Sequence, residues 1–205
     1  MNKKILVLSI TLLTLVMLTT PLVSARGVRR NMSQDFTATV RMCDPTTDPS
    51  GTFTPGTTKY VGPKNSAVPP KDANPDNRLY SLQSGSIYFG TIDSGQLGEG
   101  TMESTVIIGL MDQEAGQGTG VFKWKWVFDN EICKGTIEGI YKGEQTLVFP
   151  MMTIEGSALL CKGTGDLQNV KIAVTSYVVT LEDVRTFTTE GFDGTMEGTM
   201  WGWNP

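Results

Sequence analysis

GTGVFKWKWVFDNE, residues 118–131, decides the fold. In an extended strand, side chains two apart share a face. Phe122, Trp124, Trp126 and Phe128 therefore form one row, and Lys123, Lys125, Val127 and Asp129 form the other. Four large aromatics backed by lysines make a strand with one face in an apolar interior and one in water. The aromatic row has two readings. It is plain core, or it is the wall of a cavity open to a ligand. A barrel of about eight strands has an interior just wide enough for either. Aromatic walls suit apolar or flat ligands, with the Trp N–H as a polar handle. On the second reading Phe122, Trp124, Trp126 and Phe128 are the candidate ligand-binding residues.

The same two-residue period runs outward from this strand. SQDFTATVRMC, 33–43, puts Phe36, Ala38, Val40 and Met42 on one face and Thr37, Thr39 and Arg41 on the other. Further strands are expected at 79–92, 100–110, 119–128, 134–141, 145–160 with a break near Pro150, 168–181, 184–189 and 194–203. Gly-rich turns separate them, and no window carries a 3.6-residue apolar stripe, so at most one short helix fits. A small motif recurs: TIDS at 91, TMES at 101, TIEG at 136, TIEG at 153 and TMEG at 195. Its spacing is irregular, so it is no solenoid repeat. It places Ile92, Met102, Ile137, Ile154 and Met196 inward, each with a small residue two places on, and Thr and the acid outward. Small inward residues let a sheet coil tightly and close. Closure also removes sticky edges. The expectation is an all-β chain forming a single antiparallel closed or nearly closed barrel of about eight strands. Paired acids invite a glycosidase reading, but these five acids fall on the Thr-bearing, solvated face.

The two ends of the chain and one internal stretch fall outside the strand pattern. Residues 1–25 carry Lys3 and Lys4, an apolar run from Ile5 to Thr20, and small residues at Ser24 and Ala25, the layout of a secretory signal peptide. The alternative is an uncleaved N-terminal helix acting as an anchor. Export implies a secreted or cell-envelope protein with no membrane span after cleavage. Residues 26–33 read as a flexible tail and 34–205 as the barrel domain. Within it, 44–78 holds most of the ten prolines and reads as a long surface loop with one short strand near Tyr60. At the other end, GTMEGTMWGWNP, 194–205, sets Met196, Gly198, Met200 and Gly202 on one face and Trp201 and Trp203 on the other. Those Trp rings cover the first strand, cap the barrel or meet a partner.

Composition excludes several chemistries. The formal net charge is −4, and losing the leader's two lysines makes it more negative, so nucleic acid is not an expected partner. There is no histidine, which removes Ser-His-Asp and Cys-His nucleophiles and His-ligated metals. Three cysteines are present. Export permits a disulfide, and Cys133 with Cys161 is the candidate pair; an odd count leaves at least one thiol free. The bland reading is three small buried hydrophobes. DANPDN, 72–77, spaces Asp72, Asn74 and Asp76 like a calcium loop, but Asn77 stands where that loop needs Gly. No metal or other cofactor is expected. NMS makes Asn31 a candidate glycosylation site.

CKGTGDLQNVKI, 161–172, with GTIEGIYKGEQ before it at 135–145, resembles the turn-and-strand segment of allene oxide cyclase-like and dirigent-like β-barrels, including secreted members of unknown function. The match spans about residues 85 to 181 and consists mostly of glycine spacing. The resemblance implies a barrel with a central cavity, often a homo-oligomer, and no particular reaction. Three functions follow as expectations. The first is a secreted, non-enzymatic barrel that binds a small apolar ligand or an envelope component. The second is a structural or interaction protein of the cell surface with a filled core. The third is a cyclase- or dirigent-like enzyme acting in the cavity, for which Tyr177, Arg185 and Asp166 are the first residues to test.

Overall fold

The computed structural model describes residues 33–45, 53–61, 80–112 and 115–204. The leader 1–25, the tail as far as residue 32 with Asn31, the DANPDN stretch and most of the 44–78 loop lie outside these residues. The strands are β1 (Ser33–Met42), β2 (Phe53–Thr54), β3 (Thr57–Val61), β4 (Tyr80–Ser84), β5 (Ile87–Ser94), β6 (Gly98–Asp112), β7 (Gln117–Asp129), β8 (Lys134–Val148), β9 (Met151–Gly163), β10 (Lys171–Leu181) and β11 (Phe192–Trp201). One four-residue helix, α1 (Phe187–Glu190), and a 3-10 turn, Gly165–Leu167, complete the described elements.

Hydrogen bonding runs β5–β1–β11–β10–β9–β8–β7–β6 and returns from β6 to β5. Every neighbouring pair is antiparallel, so eight strands close one barrel. The expected fold class is the one that forms. Three strands extend the sheet outside the barrel: β4 pairs with the far end of β6, β3 with β4, and β2 with β5. Thus part of the Pro-rich stretch is sheet, namely β3 around Tyr60 and the shorter β2.

Binary alternation drives closure. Phe36, Ala38, Val40 and Met42 of β1 and Phe122, Trp124, Trp126 and Phe128 of β7 are all buried. Burying each such aliphatic or Phe side chain contributes roughly 1.5–3 kcal/mol. The recurring motif behaves as expected: Ile92, Met102, Ile137 and Met196 are buried and Ile154 is half-buried, while Asp93, Glu155 and Glu197 are exposed. On the outer face Lys125 sits between Glu103 and Glu138 in register, and Lys123 Nζ lies 2.8 Å from a Glu138 carboxylate oxygen. The lysines of the opening stretch therefore answer the acids of the motif across neighbouring strands.

The structure differs from the sequence reading in three places. The expected strand 79–92 breaks at Gly85, whose φ of 76° no strand residue adopts. The expected gap between 141 and 145 is continuous strand. Gly143 there is an inward small residue, not a turn. The expected strand 184–189 is instead a turn and α1. It lies between the end of β10 and the start of β11, where no strand among the described residues pairs with it.

The two ends of the barrel are built differently. At the end where β1 starts and β7 finishes, turns plug the interior. Leu97, Cys133, Leu167 and Val170 are at most 1% exposed there. Asn130 latches this end. Its Oδ1 accepts from the N–H groups of Ile132 and Cys133 at 2.8 and 2.9 Å, and its Nδ2 donates to the carbonyls of Leu97 and Glu99 at 2.9 and 2.7 Å. That is an Asx turn tied to the β5–β6 turn. At the opposite end a row of glycines crosses four strands: Gly109 faces Gly120, Gly120 faces Gly143, and Gly143 faces Gly156. Bulges at Val106/Ile108 in β6 and Val174/Tyr177 in β10 flank the row. Bulges and glycines together bend a sheet. They also make room: a Cβ on Gly143 would lie 2.1 Å from the Tyr141 hydroxyl oxygen, and one on Gly156 would lie 2.8 Å from the Tyr141 ring.

A neutral cavity in the open end of the barrel

Beyond Trp124 the interior is not filled. A cavity of about 280 Å³ occupies the glycine-row end of the barrel. Trp124 forms the boundary. On one side it approaches Trp126 at 6.0 Å between ring centroids, and Trp126 stacks on Phe36 at 5.8 Å. On the other side it faces the cavity together with Phe122, Tyr141 and Tyr177. Tyr141 stacks on Trp124 at 4.5 Å and 4°, and Tyr177 meets both rings edge-on at 5.0 and 5.3 Å. Such geometry suits the ring quadrupoles and fixes the wall. Met42, Met152, Ile154 and Leu181 supply apolar lining, and Gln83, Gln145 and Ser81 add uncharged polar groups. Among the described residues no Asp, Glu, Lys or Arg lines the space.

The ionisable groups near the cavity stay neutral. Burial pushes the Tyr88 phenol up to about 12, with Cys43 adding to the rise and a hydrogen bond from Gln83 opposing it. Burial drives Tyr141 and Tyr177 further in the same direction. The Cys43 thiol rises to about 12 by burial, against a hydrogen bond involving Phe89 backbone. At neutral pH all four carry their protons.

Two polar details matter at the wall. Trp124 Nε1 donates to Ser104 Oγ at 3.1 Å. The buried Tyr141 hydroxyl has no hydrogen-bond partner among the described residues. An unpaired buried hydroxyl costs roughly 1–3 kcal/mol.

The mouth is crossed by the segment between β10 and β11. Phe187 of α1 lines the cavity and packs on Phe53 of β2 at 5.3 Å and on Tyr88 of β5 at 6.1 Å. Arg41 clasps this segment to the barrel. Its guanidinium donates to Asp44 Oδ2 at 3.0 Å, to Asp193 Oδ2 at 2.8 Å and to the Glu190 carbonyl.

The expected four-residue ligand wall is thus halved. Phe122 and Trp124 face the cavity, whereas Trp126 and Phe128 are packed core in the plugged end. The reason is position along β7: the row of aromatics runs the length of the barrel and the cavity occupies one end. The expected Cys133–Cys161 disulfide is not formed, and all three cysteines are free. Cys133 is buried beneath the plugged end. Cys161 is the extra residue of a bulge between Leu160 and Lys162, and its side chain is exposed. Of the three residues first chosen to test an enzyme, Tyr177 lines the cavity. Arg185 pairs outside with Asp183, and exposed Asp166 accepts from the Lys134 N–H at 2.8 Å. Trp203 is partly buried against the core, as a cover at the plugged end, and Trp201 sits between Ser33 and Lys171 in register. The sequence reading missed Tyr88, Tyr141 and Phe187. The alternation Ile137, Gly139, Tyr141, Gly143 could have revealed Tyr141.

Compared with protein-family models, curated proteins and solved structures, the chain matches none.

Proposed function

We propose that this protein is an exported barrel whose open end binds one small, uncharged, largely apolar ligand. One observation carries the reading: a cavity of about 280 Å³ walled by the Trp124–Tyr141 stack, with no charged side chain among its described lining. A dry apolar cavity of about 150 Å³ holds benzene, so this one suits a molecule of one or two rings. The volume lies near the lower edge of ordinary ligand sites, about 300–1000 Å³. The glycine spacing shared with allene oxide cyclase-like and dirigent-like barrels supports the same architecture-level reading. Binding without turnover is favoured over catalysis. General acid–base work needs a group that titrates near the operating pH, and the phenols here are pushed the other way.

The test is a fluorescence titration of the purified protein with a neutral two-ring probe, 1-naphthylamine. A saturable signal with one site per chain is expected, and Met152→Trp, which fills the cavity, should abolish it. An unsaturable signal, or one indifferent to Met152→Trp, would sink the proposal.

A further inference from the structure

Hydroxyl donors gather at one corner of the cavity, and they select a ligand. Ser104 Oγ accepts the Trp124 N–H, and its own proton has no acceptor among the described residues. The buried Tyr141 hydroxyl has no partner at all among them. Tyr177 stands edge-on to both Trp124 and Tyr141, so its phenol belongs to the same corner of the wall. At the mouth burial keeps the Tyr88 phenol protonated as well. Against these O–H donors the lining offers no carboxylate. Burial keeps the phenols protonated, and hence donors, at neutral pH.

From the clustering of Ser104, Tyr141 and Tyr177 around one apolar space, we infer that the ligand is an uncharged ring compound bearing a carbonyl-type acceptor, such as a ring ketone. The inference rests on the cavity-binding reading above. A pure hydrocarbon fills the space and leaves the hydroxyls unpaired, which forfeits affinity. A carboxylate offers acceptors but brings a charge into a space with no cation to meet it, and its desolvation is not repaid. A neutral carbonyl accepts from these hydroxyls without that penalty.

Three compounds on one ring skeleton separate these cases: 1-tetralone, tetralin and tetralin-1-carboxylate. Each competes with the neutral naphthylamine probe at pH 7. Tetralone should displace the probe at about tenfold lower concentration than tetralin, the ratio of one net hydrogen bond, and the carboxylate should be weakest. In Ser104→Ala, and in Tyr141→Phe, whose thermal melting should rise because an unpaired buried hydroxyl is removed, the advantage of tetralone over tetralin should shrink. Equal displacement by tetralone and tetralin would overturn the carbonyl inference and leave cavity binding standing. So would the strongest displacement by the carboxylate, or probe binding that none of the three disturbs. Failure of the probe itself to bind would overturn both.

Discussion

The two ends of this barrel share strands, alternation and curvature, yet one is solid and the other hollow. In the plugged end large inward side chains fill the space beside small ones: Phe36, Trp126, Phe128, Ile137, Leu160 and Ile172 are at most 1% exposed, with Gly198 and Gly100 opposite Phe36 and Phe128 in register. Leu97, Leu167 and Val170 descend from the turns to finish it. In the open end, inward positions 109, 120, 143 and 156 are glycine, and α1 crosses the mouth without filling it. The lesson concerns volume, not polarity. Binary patterning decides which face points inward. The size of the inward residue decides whether the interior is core or cavity.

The largest expected contrast comes from truncating one inward side chain in each end. Trp126→Ala should cost about 3–5 kcal/mol of unfolding free energy in urea, because it empties a close-packed site that cannot collapse. Ile154→Ala, at the cavity wall, should cost about 1 kcal/mol, since its surroundings are already partly empty. Equal losses would erase the distinction between the ends.

A smaller effect comes from adding one atom. Gly143→Ala puts a Cβ where the Tyr141 hydroxyl sits, 2.1 Å away. The ring must move off Trp124, at a cost of about 1–3 kcal/mol, and probe binding should weaken at least as visibly as stability. Gly95→Ala is the control, because nothing lies within 4 Å of its added Cβ. Equal effects from the two would mean that the glycine row does not make room for the wall.

The remaining contrast is alkaline. Tyr88 and Cys43 have folded pKa values raised to about 12 by burial, against unfolded values of about 10 and 8.5. Both favour the folded state fully below their unfolded values, and that contribution is lost as pH rises through about 12. The urea midpoint should be flat through neutral pH and decline from about pH 9 upward. Cys43→Ala should delay the onset. A decline that starts near neutrality, or that ignores Cys43→Ala, would contradict the neutral cavity.

Much of the fold was legible, for local reasons. Residues 118–131 alternate so strongly that only a strand with one buried face fits them, and the five motifs from TIDS at 91 to TMEG at 195 repeat that signal around the barrel. What stayed hidden depends on register. Gly143 reads locally as a turn. It is an inward gap only because Gly120 and Gly156 lie beside it on neighbouring strands. Residues 184–189 alternate weakly and look like strand, but among the described residues no strand pairs with them across the mouth. The aromatic row gave the right face without telling which half of it would line a cavity. That division depends on turn residues such as Leu97 and Leu167, far away in sequence. The Cys133–Cys161 pairing failed for a similar reason, because a one-residue bulge turned Cys161 outward.

The most direct test of the central claim is a crystal of the protein pressurised with xenon, which enters dry apolar cavities. The account predicts xenon density beside Trp124 and Tyr141 and none around Trp126 and Phe128. Xenon absent from the whole interior, or present equally at Trp126, would contradict a barrel that is hollow at one end and solid at the other.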